Sequence, residues 1–150
     1  MRRPSIYIDT CVIGGCLDRN FETESLLLIE MAEAGAVNLM VSDLLVAELL
    51  QAPPEVRRVL IRVPERHVQR VTISAETEYL RNVYLSEGVL GKRASNDAHH
   101  VAIATVNRAD MIVSWNFRHI VHYEKIRYFN SINIREGYGT IEIYSPKEVV

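Results

Sequence analysis

Short apolar segments alternate with longer segments of helical periodicity along most of the chain, and this alternation limits the possible folds more than any other feature. The apolar segments are short runs rich in β-branched residues, as is typical of strands buried on both faces. We predict such strands at residues 5–9, 37–41, 111–114 and 141–144. Strands of this kind, separated by helices, indicate an α/β fold in which helices cover both faces of a parallel sheet.

Capping and helix-opening residues mark the ends of the predicted helices. Ser42 and Ser74 stand where N-caps belong, Ser95 or Asn96 precedes a further helix, and Pro54 suits the first turn of another. The predicted helices cover residues 22–34, 43–52, 55–61, 75–87 and 97–107.

Length and composition set outer limits on the class of protein. The chain has 150 residues and no Pro/Gly/Ser-rich linker, so we expect a single domain over residues 1–150. Hydrophobic residues make up 48% and charged residues 24%, which excludes a disordered, collagen-like or coiled-coil chain. The net charge of −2 excludes binding to nucleic acid through bulk positive charge, so an RNA ligand would need a local basic surface.

Cysteine content and hydropathy bear on the cellular compartment. Cys11 and Cys16 are too few for a disulfide framework or a four-ligand zinc site, and we expect them to be buried or inert thiols in a reducing compartment. The N-terminal apolar run ends at Asp9, and no later run reaches the ~18 residues that a membrane span needs. The expected location is therefore cytoplasmic, with no membrane partner.

The sequence lacks GxGxxG, GxxxxGK[ST], HExxH and GxSxG, so dehydrogenase, P-loop, zincin and serine-hydrolase functions have no motif support.

Acidic residues fall where a parallel sheet would bring them to one edge. Asp9 ends the first strand, Glu48 lies on the helix after the second, Asp97 opens the helix before strand 111–114, and Asn116 follows that strand. Ligands of open parallel sheets bind at the carboxyl ends of the strands. Carboxylates suit hard divalent cations, and a bound ion would offset their repulsion and stabilise charge on a phosphodiester. We predict a metal site formed by Asp9, Glu48 and Asp97, with Asn116 as a neutral oxygen donor.

Each of these residues also has a structural interpretation. Asp9 and Asn116 could be turn residues, and Asp97 is favoured near a helix N-terminus by the helix dipole. Glu48 lies among leucines, where an unpaired acid is costly, so a purely structural role explains it least well. The prediction rests on the joint placement of the four residues.

Four segments resemble the PIN-domain family, in particular the VapC-like PIN proteins of prokaryotic toxin–antitoxin systems. The third matching segment contains DAHHVAIA, which is similar to the family's DA-x-H-x-A-x-A helix, and the fourth follows it closely. These two are fairly specific together, whereas the first is weak alone. The segments are residues 6–10, 41–49, 96–104 and 109–117.

The resemblance implies a three-layer α/β/α sandwich with a central, mostly parallel sheet. It also implies a Mg²⁺- or Mn²⁺-dependent endoribonuclease that cuts RNA by attack of an activated water on phosphorus, with Asp9, Glu48 and Asp97 as the metal-site carboxylates. Thr10 would be a hydrogen-bonding partner next to Asp9, and Ser114 a similar partner in the fourth segment. Proteins of this type commonly form homodimers and are held inactive by a cognate antitoxin.

Asn116 departs from the family pattern, because many PIN domains carry Asp at that position. The substitution removes one negative charge and would weaken the binding of a second metal ion. One alternative is therefore a catalytically weak or inactive PIN-like module that binds RNA. Another is a different α/β phosphotransfer or hydrolase domain that shares only the arrangement of acids.

Two further groups of residues are candidates for supporting roles. His100 follows Asp97 by three residues and could contact the acids, although a structural or surface histidine is the more common case. Basic residues on a predicted helix and near the predicted active edge could bind RNA phosphates, or could simply form solvated surface. These RNA-binding candidates are Arg58, Arg62, Lys92, Arg93 and Arg118.

Overall fold

A sheet of five strands, all parallel, lies at the centre of the computed structural model, which describes residues 2–150. The strands are β1 (Ser5–Ile8), β2 (Asn38–Ser42), β3 (Val68–Val71), β4 (Met111–Val113) and β5 (Glu142–Tyr144). Their spatial order is β3-β2-β1-β4-β5. The predicted α/β class with a parallel sheet is confirmed.

Eight α-helices and two short 3₁₀ helices connect these strands within residues 2–150. The α-helices are α1 (Thr10–Gly15), α2 (Glu22–Glu33), α3 (Asp43–Leu49), α4 (Pro54–Ile61), α5 (Ala75–Ser86), α6 (Ser95–Val106), α7 (Tyr123–Arg135) and α8 (Pro146–Val149). The 3₁₀ helices are Glu65–His67 and Lys92–Ala94. In this described part of the chain, no helix is both long enough and apolar enough to span a bilayer.

Alternation of side chains along the strands divides the core into two layers. Ile6 and Ile8 of β1 belong to one buried cluster together with residues of α1, α2 and α4, whereas Tyr7 belongs to a second cluster with residues of α5, α6 and α7. Successive side chains of a strand point to opposite faces, so each face of the sheet has its own helical cover. This arrangement confirms the predicted three-layer α/β/α sandwich.

Local capping explains where several helices begin. The Ser42 hydroxyl accepts a hydrogen bond from the Leu45 amide at 3.1 Å, and Ser74 accepts one from Thr77 at 3.1 Å, as predicted for both N-caps. The predicted cap of α6 at Ser95 or Asn96 is wrong, because α6 already begins at Ser95 and no side chain caps it. The 3₁₀ helix Lys92–Ala94 runs directly into α6 and leaves no extended residue for a side-chain cap.

The order of the strands creates a crevice beside β1. The chain builds β2 and β3 on one side of β1 and then crosses to build β4 and β5 on the other side. Ligands of open parallel sheets bind where the strand order reverses in this way, which here is the carboxyl end of the β1–β4 pair. Ile8 is paired with Val113, so Asp9 and Ser114 leave the sheet at the same level.

Candidate active site

Asp9 lies in the crevice with both carboxylate oxygens occupied by hydrogen-bond donors. The Ser114 hydroxyl donates to Oδ2 at 2.7 Å, and the Cys11 thiol donates to Oδ1 at 2.8 Å. Burial raises the pKa of Asp9, and the nearby charge of Asp97 raises it further, against the lowering effects of His100, Cys11 and Ser114. Because the negative charge of Asp9 is unfavourable where it lies, a nearby cation would stabilise it.

Cys11 takes part in the site as a protonated thiol. Burial raises the pKa of Cys11 well above its usual range, and the adjacent Asp9 carboxylate adds to the effect. The Cys11 sulfur also accepts a hydrogen bond from the Trp115 amide at 3.2 Å. Cys11 and Cys16 are both free, and Cys11 serves as a hydrogen-bond donor to Asp9 rather than as an isolated buried thiol.

Glu48, on α3, receives two hydrogen bonds at the same oxygen. His100 Nε2 lies 2.6 Å from Oε1, and the Thr10 hydroxyl donates to Oε1 at 2.7 Å. Burial on its own would raise the pKa of Glu48, but the His100 hydrogen bond and charge, together with Thr10, lower it overall. Thr10 lies next to Asp9 in the chain, and the hydrogen-bond partner of its hydroxyl is Glu48.

A buried chain of hydrogen bonds holds His100 in place behind Glu48. His100 Nδ1 lies 2.5 Å from the Tyr7 hydroxyl, which lies 2.9 Å from the Ser42 hydroxyl. Burial raises the pKa of Tyr7 far above its usual value, so the phenol stays protonated. In neutral His100, the ionised Glu48 requires the proton on Nε2, which leaves Nδ1 to accept from Tyr7. His100 is thus a contact of a candidate site acid and not a surface residue.

Asp97 lies in the first turn of α6 and is held by a histidine outside the predicted set. His119 Nδ1 is 2.8 Å from Asp97 Oδ2. The His119 amide donates to Asn116 Oδ1 at 2.9 Å, so the Asn116 side chain closes the turn that carries His119 to Asp97. The Asn116-x-x-His119 spacing is the signal in the sequence, since Asn side chains commonly bond backbone amides a few residues ahead.

The three acids and Asn116 line one cavity of about 320 Å³, together with Thr10, Cys11 and His100. Four segments that are far apart in sequence therefore meet at one place, and we call this space the acid cavity. The hydrogen bonds to Glu48 and Asp97 engage Oε1 and Oδ2 only. Among residues 2–150, Glu48 Oε2 and Asp97 Oδ1 have no hydrogen-bond partner and are free for a ligand.

The donor set of the acid cavity has the chemistry of a hard-cation site without a closed coordination shell. Carboxylate and amide oxygens are the ligands that Mg²⁺ and Mn²⁺ prefer. Within the described residues 2–150, no three Asp, Glu, His or Cys side chains are grouped closely enough to hold one metal ion. Mg²⁺ commonly binds one or two carboxylates and keeps several waters, so a hydrated ion fits this spacing. The unfavourable buried charge of Asp9 also favours a bound cation in the acid cavity.

The basic candidates lie outside the acid cavity and fall into two groups. Lys92 and Arg93 are exposed on the 3₁₀ helix that leads into α6, and Arg118 is exposed two residues after Asn116. Arg58 and Arg62 belong to α4 and its C-terminal end, and Arg62 forms an ion pair with Glu33 at 2.7 Å. The first group therefore lies on the segments that carry Asp97 and Asn116, and the second does not.

A model of the PIN-domain family matches residues 5–118, and the chain belongs to this family, whose members are generally nucleases. The resemblance inferred from the four sequence segments is confirmed. The matched region ends one residue before His119. No curated protein matches the chain.

Solved structures extend the fold match to nearly the whole chain. VapBC2 from Rickettsia felis, bound to a DNA fragment from its promoter, has a TM-score of 0.58 at 12% identity, covering 94% of this chain and 98% of that one. FitAcB from Neisseria gonorrhoeae has a TM-score of 0.57 at 14% identity, covering 95% and 98%. FitAB bound to an IR36 DNA fragment has a TM-score of 0.58 at 14% identity, covering 94% of each chain. At these identities the likeness establishes the shared fold.

Proposed function

We propose that this protein is a metal-dependent endoribonuclease that hydrolyses RNA phosphodiester bonds with Mg²⁺ or Mn²⁺. One observation carries the proposal: Asp9, Glu48 and Asp97, from three separate segments, line one cavity at the carboxyl edge of the sheet. Membership of the PIN-domain family supports nuclease chemistry at that edge. The same two observations speak against an unrelated phosphotransfer or hydrolase domain.

Each acid would have a separate supporting contact during the reaction. A bound metal ion would supply a water of lowered pKa and stabilise negative charge on the phosphate. Glu48 and Asp97 would bind the ion through their free oxygens, while Asp9 would contribute its buried charge. His100 orients Glu48, His119 orients Asp97, and Ser114 fixes Asp9.

Phosphates of the RNA would be bound at the rim of the acid cavity. Lys92, Arg93 and Arg118 are exposed and lie on the segments that carry site residues. Each phosphate contact would add a salt-dependent increment to RNA affinity. In a protein with a net charge of −2, RNA binding would depend on local cations such as these.

Cleavage of a labelled single-stranded RNA in Mn²⁺ or Mg²⁺ tests the proposal. Asp9→Asn and Asp97→Asn should each abolish cleavage while leaving the fold intact. Asp43→Asn is the matched control, because Asp43 begins α3 but does not line the acid cavity. Asp9 and Asp97 variants that cut as fast as the parent would show that the site is wrongly assigned.

We further propose that the enzyme is the toxin of a VapC-type toxin–antitoxin pair that acts on cytoplasmic RNA. The similarity to VapC-like proteins and the fold shared with VapBC2 and FitAB support this role. The proposed assembly is a homodimer that a cognate antitoxin holds inactive. Expression of the wild-type chain should arrest growth, Asp9→Asn should not, and co-expression of a small protein encoded beside it should restore growth. Arrest of equal strength with Asp9→Asn would contradict a nucleolytic toxin.

A PIN-like module that binds RNA without cutting it is the second candidate function. Asn116 and the absence, among residues 2–150, of three side chains grouped around one metal position favour it. Calorimetric titration separates the two candidates. Heat of binding with Mn²⁺ that disappears in Asp97→Asn supports the nuclease. No heat, combined with RNA binding that is unaffected by EDTA, supports the inactive module.

A further inference from the structure

A second cavity of about 490 Å³ adjoins the acid cavity, and Cys11 and Asn116 line both. Its other walls include Gly14 of α1, Phe21 and Trp115. We call it the aromatic cavity. Its volume is within the range of about 300–1,000 Å³ that is typical of small-molecule sites. A ligand in the acid cavity would therefore have a neighbouring space for an attached group.

Phe21 and Trp115 form one wall of the aromatic cavity; Phe21 is half-buried, and Trp115 is only 6% exposed because it packs into the core. The Phe21 and Trp115 rings have centroids 4.5 Å apart and a tilt of 36°. The Trp115 indole N–H donates to the Ser25 hydroxyl at 2.8 Å, and Phe117 packs edge-on against the indole at 6.2 Å. The rings are held by these contacts before any ligand binds, so little side-chain freedom would be lost on binding.

Gly14 of α1 lines the aromatic cavity without a side chain. Gly14 has no side chain, and a Cβ added there would meet nothing within 4 Å. The neighbouring Gly15 is different, since a Cβ there would lie 2.6 Å from the Ser25 hydroxyl oxygen. Gly14 is therefore a position where a side chain would occupy the cavity without disturbing the core.

The charge of the aromatic cavity excludes a phosphate as its occupant. Its lining within residues 2–150 contains no Lys, Arg or His, and it does contain the carboxylate of Asp18. A phosphate would be repelled there, whereas a neutral planar ring would gain contact with the half-buried Phe21 and with the small exposed part of Trp115. Aromatic side chains bind bases of single-stranded RNA in this way, because such bases are free to leave the stack.

We propose that the aromatic cavity binds one unpaired base of the RNA whose phosphate occupies the acid cavity. The proposal rests on the ribonuclease function and specifies the substrate further. The strand must be single-stranded next to the cut, and its affinity depends on a base as well as on phosphates. Asn116 and Cys11, at the boundary of the two cavities, would lie beneath the sugar that joins that base to the scissile phosphate.

Two fluorescein-labelled octamers test the proposal by anisotropy in Ca²⁺, in place of Mg²⁺ or Mn²⁺ and under conditions where no cleavage is detected: octaadenylate, and an abasic ribose-phosphate octamer of the same charge. The wild type should bind octaadenylate about 5- to 150-fold more tightly, which corresponds to about 1–3 kcal/mol for stacking of one base. Gly14→Leu should bind both octamers with the weak affinity of the abasic one. Gly139→Leu is the matched control, since a Cβ there also meets nothing within 4 Å and Gly139 lies outside the aromatic cavity.

Trp115 fluorescence gives an independent measurement of base binding, because Trp115 is the only tryptophan in the sequence. Octaadenylate should quench its fluorescence in the wild type and in Gly139→Leu, but not in Gly14→Leu. Phe21→Leu, which keeps an apolar side chain and removes the ring, should also reduce the preference for octaadenylate. Should Gly14→Leu fail to fold, Phe21→Leu decides the question alone.

The binding experiments distinguish failure of the base-site proposal from failure of the ribonuclease proposal. Equal binding of octaadenylate by the wild type, folded Gly14→Leu and Phe21→Leu would overturn the base site even if the enzyme cleaves RNA. Asp9→Asn should lose cleavage and keep the wild-type preference for octaadenylate. A wild type that shows the preference but never cuts RNA would overturn the nuclease function and leave a base-binding cavity.

Discussion

Removal of a single oxygen atom from Tyr7 tests whether the buried hydrogen-bond chain orients Glu48. The Tyr7 hydroxyl is fully buried and lies between His100 Nδ1 at 2.5 Å and Ser42 Oγ at 2.9 Å. In Tyr7→Phe, both contacts disappear and His100 Nδ1 is left buried without a partner. His100 would then be free to change its ring orientation or tautomer, and Glu48 would lose its fixed donor.

The structure sets the size of the expected effects. Two lost hydrogen bonds and one unpaired buried nitrogen correspond to about 2–3 kcal/mol of unfolding free energy. For a chain of this length, that loss lowers Tm by roughly 4–12 °C. Loss of a group that orients a metal-binding side chain typically reduces metal affinity or activity by about 10- to 100-fold, and we expect a loss of cleavage rate in that range.

Tyr84→Phe is the matched control for this experiment. The Tyr84 ring is also fully buried and its hydroxyl donates to Asn133, whereas the Tyr7 hydroxyl contacts His100, a residue that lines the acid cavity. Calorimetric melting and an RNA cleavage assay on both variants separate the two roles. Both variants should melt earlier, and only Tyr7→Phe should cleave more slowly. A Tyr7→Phe enzyme that melts earlier yet cuts at the wild-type rate would refute the orienting role of the chain.

Three further predictions concern pH, metal ions and salt. Burial, with the nearby charge of Arg81, lowers the pKa of His99 to about 4. The unfolded chain therefore binds more protons than the folded chain between about pH 6.5 and 4. Up to about 3 kcal/mol of unfolding free energy should be lost as pH falls through that window. His99→Gln should flatten this pH dependence of Tm, and an unchanged profile would contradict the assignment. Mn²⁺ at about 100 times its Kd should raise the Tm of the wild type by roughly 5–11 °C relative to EDTA. The Tm of Asp9→Asn should change little. A rise in Asp9→Asn equal to that of the wild type would exclude Asp9 from the metal site. Replacing Lys92 and Arg93 by Ala should reduce the slope of log affinity against log salt for single-stranded RNA by about 1 to 2. Arg62→Ala, which loses an ion pair with Glu33, should leave that slope unchanged. The reverse result would place the RNA on α4.

The central strands were predictable from the sequence because burial on both faces leaves a short apolar run. β3 gives no such signal, since Gln69 and Arg70 are exposed on an edge strand of four residues. α1 was not predicted, for a different reason. Gly14 and Gly15 disfavour helix in isolation, and packing of neighbouring residues such as Ile13 into the core stabilises the helix instead.

The meeting of Asp9, Glu48 and Asp97 was predictable because parallel topology brings strand ends and helix starts to one edge. The contacts that hold these acids were not. Tyr7 is indistinguishable in the sequence from an ordinary core residue, and its link to His100 depends on the packing of α6 against the sheet. His119 reaches Asp97 because a turn closes after β4; the Asn116-x-x-His119 spacing indicates that turn but not that it leads to Asp97.

Residues 114–119 carry the partners of two acids on a single short stretch of chain. Ser114 binds Asp9 at one end, and His119 binds Asp97 at the other. A change in the length or shape of this stretch would alter the spacing between these acids without touching either helix layer. Exchange of this one connection would therefore move two acids at once, which makes residues 114–119 a compact grafting target for protein engineers.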